Sequence, residues 1–318
     1  AGIIPDGAVW CVTGDNTSAC YGPNSQATGS FSTAIGANAT ASIGASSSSL
    51  GSFISPYEAG SDAATALGSQ TNATGTGSTA LGVNATASGN GSLVVGANSN
   101  AQGLGAMSLG LEANSNATGG IALGYHTDTD GTNATAIGTC AVANGTDVVA
   151  LGNTAQATGV GSSAFGAGAV ANGVGAIAIG PDAKALGYNT NATAIGAGAV
   201  ADGTSATSIG AGSYSSGVNV TALGAGARAT HTGSTAVGTG AVTTRDNHTV
   251  IGSANTEVTV PNLAGPGTAI VAANEDGTLQ RSSVSLRDLD NAVNKRLPKL
   301  ESAARSLGNA VEAAGAMG

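Results

Sequence analysis

Small, aliphatic and polar residues recur along most of this chain with a period of 14 residues. Each repeat carries a triplet of a small residue, an aliphatic residue and glycine, as in Ala80-Leu81-Gly82. The triplet glycines keep the 14-residue spacing over Gly68–Gly180, shift by two residues, and resume it over Gly196–Gly252. Self-similarity at a fixed short period is typical of a solenoid, in which stacked repeats build the core that one repeat cannot build alone.

The residues before each triplet glycine predict a strand that is buried on both faces. A large aliphatic residue comes directly before the glycine, and a small residue, usually alanine, comes two before it. Because neighbours on a strand face opposite ways, we expect the aliphatic row inside the coil and the alanine row outside. Covering an outer row of this length needs an equally long partner, and another copy of the chain is the simplest one. The alanines expected to pack against other copies are Ala66, Ala80, Ala122, Ala136, Ala150, Ala164, Ala178 and Ala194.

The residues after each triplet glycine predict a second strand that is buried on one face only. Small residues lie three and five positions after the glycine, as at Ala85 and Ala87, and the residue between them varies, as at Thr86. This alternation is typical of a half-buried strand with its small side chains inward. Each repeat is therefore predicted to form one turn of an all-β solenoid.

After the last repeat, the pattern changes twice. Residues 254–284 hold two apolar stretches around Asp276-Gly277, a dipeptide that favours a type I′ turn, and they predict a neck with a β-hairpin. Over residues 285–318 the apolar residues recur every three or four positions, which predicts a coiled-coil helix. Ser285 and Asp288 suit a capping box at its start. The helix residues expected to pack against other copies are Leu286, Leu289, Val293 and Leu300.

The N-terminal part of the chain departs from the regular repeat. Residues 1–30 precede it, and residues 37–67 keep the period irregularly. An open solenoid end needs its core covered, so residues 1–30 are predicted to form an N-terminal cap. The alternative is a binding tip, because aromatic residues are concentrated in the first fifth of the chain. The candidate tip contacts are Trp10, Tyr21, Phe53 and Tyr57.

Cys11 and Cys20 bracket a turn-forming stretch at Gly14-Asp15-Asn16. A disulfide between them would constrain the unfolded chain by roughly 2.5–3 kcal/mol and would indicate an oxidising, extracytoplasmic location. Two free thiols are the alternative. Cys140 has no partner left in the chain, so we expect it to be free and near the surface.

Composition and charge exclude several classes of function. Charged residues make up 8% of the chain, and residues 1–244 hold only two of its nine basic side chains, so no basic stripe is present for nucleic acid. His126, His231 and His248 lack zinc spacing and are interpreted as solvated loop histidines. No Ser-His-Asp or Cys-His set stands out either. We therefore predict a protein that is not an enzyme, with no catalytic, cofactor-binding or metal-ligating residues and no cofactor.

The repeats also resemble a known family. Phe31-Ser32-Thr33-Ala34-Ile35-Gly36, Gly77–Gly82 followed by Asn84–Gly89, and Gly233–Gly238 are similar to the YadA-type head of trimeric autotransporter adhesins. The resemblance covers about residues 31–253. It implies a left-handed parallel β-roll and a homotrimer, which periodicity alone does not distinguish from a dimer. It also implies exposure on the surface of a Gram-negative bacterium, held at the outer membrane only by a C-terminal β-barrel anchor that this sequence does not contain.

Taken with the residues, the resemblance implies a non-enzymatic surface adhesin, the passenger of a trimeric autotransporter. Its expected partners are two further copies of the chain and an extracellular ligand, namely a matrix protein, a glycan, a cell or an abiotic surface. One alternative is an ice-binding solenoid, because threonines such as Thr65, Thr79 and Thr135 form a partial ladder. Leu93 and Met107 interrupt this ladder, which we expect to face inward. The other alternative is a purely structural surface spacer.

Overall fold

The computed structural model describes residues 12–13, 18–41, 46–50, 57–59, 62–187, 191–261, 269–273 and 279–316. The chain forms two compact units, Ala1–Thr256 and Glu257–Gly318. We call the first the solenoid unit and the second the C-terminal unit.

The solenoid unit is a parallel β-solenoid of about 16 turns, as the period predicts. Each turn contributes one short strand to each of two parallel sheets. We call the first the aliphatic sheet, and its strands are Ala19–Tyr21, Thr33–Ile35, Ser48–Leu50, Thr65–Leu67, Thr79–Leu81, Leu93–Val95, Met107–Leu109, Ile121–Leu123, Thr135–Ile137, Val149–Leu151, Ser163–Phe165, Ile177–Ile179, Thr193–Ile195, Thr207–Ile209, Thr221–Leu223, Thr235–Val237 and Thr249–Ile251.

We call the second the variable sheet, because its outward residue changes freely from turn to turn. Its strands are Val12–Thr13, Gln26–Ala27, Ala39–Ala41, Tyr57–Ala59, Asn72–Ala73, Thr86–Ala87, Asn100–Ala101, Asn114–Ser115, Asp128–Thr129, Val142–Ala143, Gln156–Ala157, Val170–Ala171, Lys184–Ala185, Val200–Ala201, Tyr214–Ser215 and Arg228–Ala229.

The strand register reproduces the sequence period. Thr79 pairs with Leu93, which in turn pairs with Met107, so each residue faces the residue 14 positions further on. The two-residue slip appears as a 16-residue offset, in which Ile177 pairs with Thr193. Side chains of the same row therefore stack on neighbouring rungs, about 4.8 Å apart.

The solenoid begins earlier than the sequence pattern indicates, and the predicted boundary at residue 31 is wrong. Ala19–Tyr21 already pairs with Thr33–Ile35, again with a 14-residue offset. Gly22 therefore occupies a triplet position, with Cys20 in the alanine row and Tyr21 in the aliphatic row. The repeat was hidden because cysteine and tyrosine replace alanine and an aliphatic residue.

The interior of the solenoid is lined by the alanine row, which contradicts the predicted orientation. The eight alanines expected to pack against other copies are all fully buried within one chain, at 0% exposure: Ala66, Ala80, Ala122, Ala136, Ala150, Ala164, Ala178 and Ala194.

The aliphatic row faces outward instead, with Leu67 43% exposed and Leu151 41% exposed. The physical reason is the narrow coil. The largest fully buried side chains among the described residues are valines, Val94, Val148 and Val220, so the space between the two sheets is too small for a row of leucines.

The second strand of each turn is oriented as predicted. Ala85 and Ala87 are fully buried, whereas Thr86 between them is partly exposed. The inward rows of both sheets thus consist of small residues, and their methyl groups form the core. This core is a long, thin column and not a globular centre.

The triplet glycines are required where one turn lies against the next. Gly152 has φ +142°, a conformation that side chains rarely adopt, and a Cβ there would overlap the carbonyl oxygen of Gly166. Gly161 differs, because a Cβ at its φ of +67° would meet no atom within 4 Å. Other turns place Asn133 and Asp147 at the position of Gly161, with φ 54° and 55°.

We expect Gly152→Ala to destabilise the solenoid by about 3 kcal/mol or more, since it adds backbone strain to an overlap with the next turn. Gly161→Asn is the matched control and should leave stability nearly unchanged. Thermal and urea unfolding followed by circular dichroism would measure both. Equal unfolding midpoints for the two variants would contradict the assigned role of the triplet glycine.

The C-terminal unit holds an antiparallel hairpin and one helix. The hairpin joins Ala269–Ala273 to Leu279–Ser285, as predicted, and the predicted turn at Asp276-Gly277 lies outside the described residues. The helix Leu286–Gly315 begins with the predicted capping box, in which the Ser285 hydroxyl accepts from the Asp288 backbone N–H at 3.1 Å. The hydroxyl and backbone N–H of Ser285 donate to the Asp288 carboxylate, which lowers the pKa of that carboxyl.

Candidate interaction surfaces

The first candidate surface is the outward side of the aliphatic sheet, which we call the aliphatic face. It consists of the first and third residues of each strand from Thr65–Leu67 to Thr235–Val237. The third residue is a leucine, isoleucine or valine in every one of these strands except Ser163–Phe165. A continuous exposed apolar surface of this length is typical of an interaction site.

The partial threonine ladder also lies on the aliphatic face. Thr65, Thr79 and Thr135 face outward with the aliphatic row, so the expected inward orientation is wrong. Leu93 and Met107 interrupt the ladder, as the sequence indicates. The face is therefore mainly an apolar surface in which threonines alternate with larger side chains.

The Leu, Val and Ile residues of the aliphatic face, which the sequence pattern predicts to lie in the interior, are candidate interaction residues because they are exposed. The pattern identified the members of this row correctly, but it assigned the row to the inner face of the strand and not to the outer face. The helix residues Leu286, Leu289, Val293 and Leu300 are all exposed in the single chain. Their packing against other copies stays a prediction.

The second candidate surface is the outward side of the variable sheet, which we call the variable face. In the N-terminal half of the solenoid unit, amide side chains hydrogen-bond from one turn to the next, both on this face and in the corner that precedes it. Asn84 Nδ2 donates to Asn98 Oδ1 at 3.1 Å, and Asn100 Nδ2 donates to Asn114 Oδ1 at 3.2 Å. These contacts hold the polar side chains in regular columns.

A shallow groove of about 470 Å³ runs between two columns of this face. Its lining includes Glu112, His126, Asp128 and Cys140. Burial raises the pKa of the Asp128 carboxyl, the nearby Asp130 raises it further, and His126 acts in the opposite direction.

Cys140 carries a free thiol and is partly buried, in agreement with the expected unpaired cysteine near the surface. Among the described residues, no group of three or more His, Cys, Asp or Glu side chains is arranged to hold a metal ion.

The three histidines occupy different environments. The ring of His126 lies edge-on to Tyr125, with centroids 6.0 Å apart, and His231 Nδ1 lies 3.2 Å from the Thr230 hydroxyl. His248 departs from the predicted solvated loop. It occupies an inward row in the last turn and is partly buried, and its Nδ1 accepts from the Thr244 backbone N–H at 3.3 Å.

The predicted tip contacts stay a prediction. Trp10 and Phe53 lie outside those residues, and only the backbone of Tyr57 is described, within a strand. Tyr21 is 75% exposed in the outward row of the aliphatic sheet.

Cys20 is disulfide-bonded. Its predicted partner Cys11 lies outside the described residues, so the pairing stays a prediction. The described part of the chain also holds no helix that is long and apolar enough to cross a membrane.

Comparison with known proteins identifies the repeat. No curated protein matches the chain. Among solved structures, the collagen-binding domain of the Yersinia adhesin YadA is similar, with 19% sequence identity over 62% of this chain and 86% of that one, at a TM-score of 0.31.

The match to a protein family is much more extensive. The YadA head domain repeat matches residues 22–39, 27–53, 59–82, 73–99, 101–127, 130–155, 157–183, 171–190, 188–213 and 215–241. These segments lie within the solenoid unit and cover well over half of the chain. The chain therefore belongs to the YadA head domain family.

Proposed function

We propose that this chain is the head of a trimeric autotransporter adhesin, in which three parallel copies pack through their aliphatic faces. Membership of the YadA head family supports an adhesive role and the number of copies. The aliphatic face is the observation that carries the proposal, because a row of exposed leucine, isoleucine and valine side chains needs a partner of the same length. An identical solenoid in parallel supplies the same succession of strands along its whole length, including the two-residue slip.

Packing through the aliphatic faces would stabilise the assembly through apolar burial. Each Å² of apolar surface removed from water contributes about 25 cal/mol, and the face repeats in every turn. The leucines of the C-terminal helix, exposed in the single chain, would associate in the same parallel arrangement as a coiled coil.

The variable face would remain exposed and would carry the ligand contacts. In a trimer each of its residues is presented three times around the axis, so weak contacts with a repetitive target add through avidity. This role is non-enzymatic, needs no cofactor, and suits display on the outer surface of a Gram-negative cell. The ligands expected on these grounds are matrix proteins, glycans, host cells or other bacteria.

Display on a bacterial surface tests this function. Bacteria that display the chain as an assembled trimer should adhere more strongly to at least one of these targets than bacteria of the same strain without it. A strain displaying the C-terminal unit without the solenoid unit is the matched control and should not gain adhesion. Equal adhesion with and without the chain across all four target classes would overturn the proposal.

A further inference from the structure

We propose that the C-terminal end of the solenoid unit binds an acidic polysaccharide, a chain of sugars that carry carboxylates or sulfates. This inference rests on the proposed adhesive function and names a ligand class for it. The site consists of Tyr214, Arg228, His231 and Arg245, which we call the basic end.

Charge is the first observation that sets the basic end apart. Residues 1–223 carry ten acidic side chains and only one basic one, Lys184. The next two turns, residues 224–252, reverse this balance, with two arginines against the single acid Asp246. An otherwise acidic solenoid therefore has a local positive surface at one end.

The second observation is the stacking of Arg228 on Tyr214. The two residues pair directly on neighbouring strands of the variable sheet, and the guanidinium lies 4.9 Å from the centre of the tyrosine ring. This cation–π contact orients the planar guanidinium on the exposed variable face. A guanidinium held in this orientation can bind carboxylate and sulfate groups, because its N–H donors form a rigid fork.

The third observation concerns the corner that follows the variable sheet. Most turns place glycine seven residues after the triplet glycine, as at Gly203 and Gly217, but the last two turns place His231 and Arg245 there. These residues are 14 positions apart and so lie on neighbouring turns. Arg245 is exposed to solvent, as is Arg228, and neither forms an ion pair within the described part of the chain.

The arrangement favours an extended polymer over a small anion. The cations are spread over two turns and do not converge on one pocket, so a ligand must present negative groups at intervals to reach them. It also favours a polysaccharide over nucleic acid, because the chain as a whole has a net charge of −9 and repels a densely charged polyanion most strongly. In the proposed trimer the basic end occurs three times around the axis.

Binding of the purified full chain to immobilised heparin and hyaluronan tests the proposal, with neutral dextran and duplex DNA as comparisons. Heparin carries sulfates and hyaluronan only carboxylates, so the two probes distinguish the anionic groups. We expect salt-sensitive binding to at least one of them and none to dextran. The double variant Arg228→Gln, Arg245→Gln should lose about tenfold or more in affinity, because two charge-assisted contacts per chain are removed.

Lys184→Gln is the matched control, since it removes an exposed positive charge from the same outward row outside the basic end. It should retain binding, and circular dichroism and light scattering should show all variants folded and assembled alike. No binding to either acidic polysaccharide, binding unaffected by the double variant, or tighter binding to DNA would overturn the inference.

The display experiment separates the two proposals, because adhesion without polysaccharide binding refutes only the ligand class. Polysaccharide binding by the purified chain without any gain in adhesion refutes only the adhesive role.

Discussion

Ala136→Phe is expected to unfold the solenoid around residue 136. Ala136 is fully buried between Ala122 and Ala150 of the neighbouring turns. Among the described residues the interior accepts nothing larger than valine at full burial, so a phenyl ring has to push the two sheets apart. Overpacking of this kind typically costs 1–3 kcal/mol, and about 3 kcal/mol or more is expected here because the rigid turns above and below prevent relaxation. Urea unfolding followed by circular dichroism measures the change.

Val142→Phe is the matched control for this substitution. Val142 lies in the same turn on the outward row of the variable sheet, where Tyr214 already shows that an aromatic ring fits. Its stability should stay within about 0.5 kcal/mol of the parent chain. If Ala136→Phe unfolded at the same urea concentration as Val142→Phe, the inward position of the alanine row would be refuted.

Leu123→Asp combined with Ile137→Asp is expected to leave the solenoid folded but to dissociate the assembly. Both side chains lie on the aliphatic face, where a carboxylate would be exposed to water in the single chain and buried in the trimer. Removing an unpaired charge from water costs several kcal/mol, and each copy would contribute two such charges. Light scattering should show the parent chain at three times the mass of one chain and the variant at the mass of one.

Gln156→Asp provides the control for the added negative charge. Gln156 is an exposed residue of the variable face, so this substitution should leave the mass of the assembly unchanged. A parent chain that is stably monomeric, or a double variant that keeps the parent mass, would contradict packing through the aliphatic face.

The sequence alone determined most of the repeat architecture. The spacing of the triplet glycines predicted the 14-residue strand register that pairs Thr79 with Leu93. The alternation around Thr86 predicted a second strand with alanines inward, and Ser285 with Asp288 predicted the start of the helix. These features depend on local backbone geometry and on the two-residue period of strands, which a sequence displays directly.

Only the tertiary structure decided which side of the first strand faces inward. Alternation places Ala136 and Ile137 on opposite faces of a strand, but it does not assign either face to the core. Because large apolar side chains usually prefer the interior, the sequence pattern predicted that the aliphatic row would face the core. The distance between the two sheets reversed this choice, because each turn is so short that among the described residues no side chain larger than valine is fully buried between them. The large aliphatic side chains are left on the surface, where burying them requires contact with another molecule.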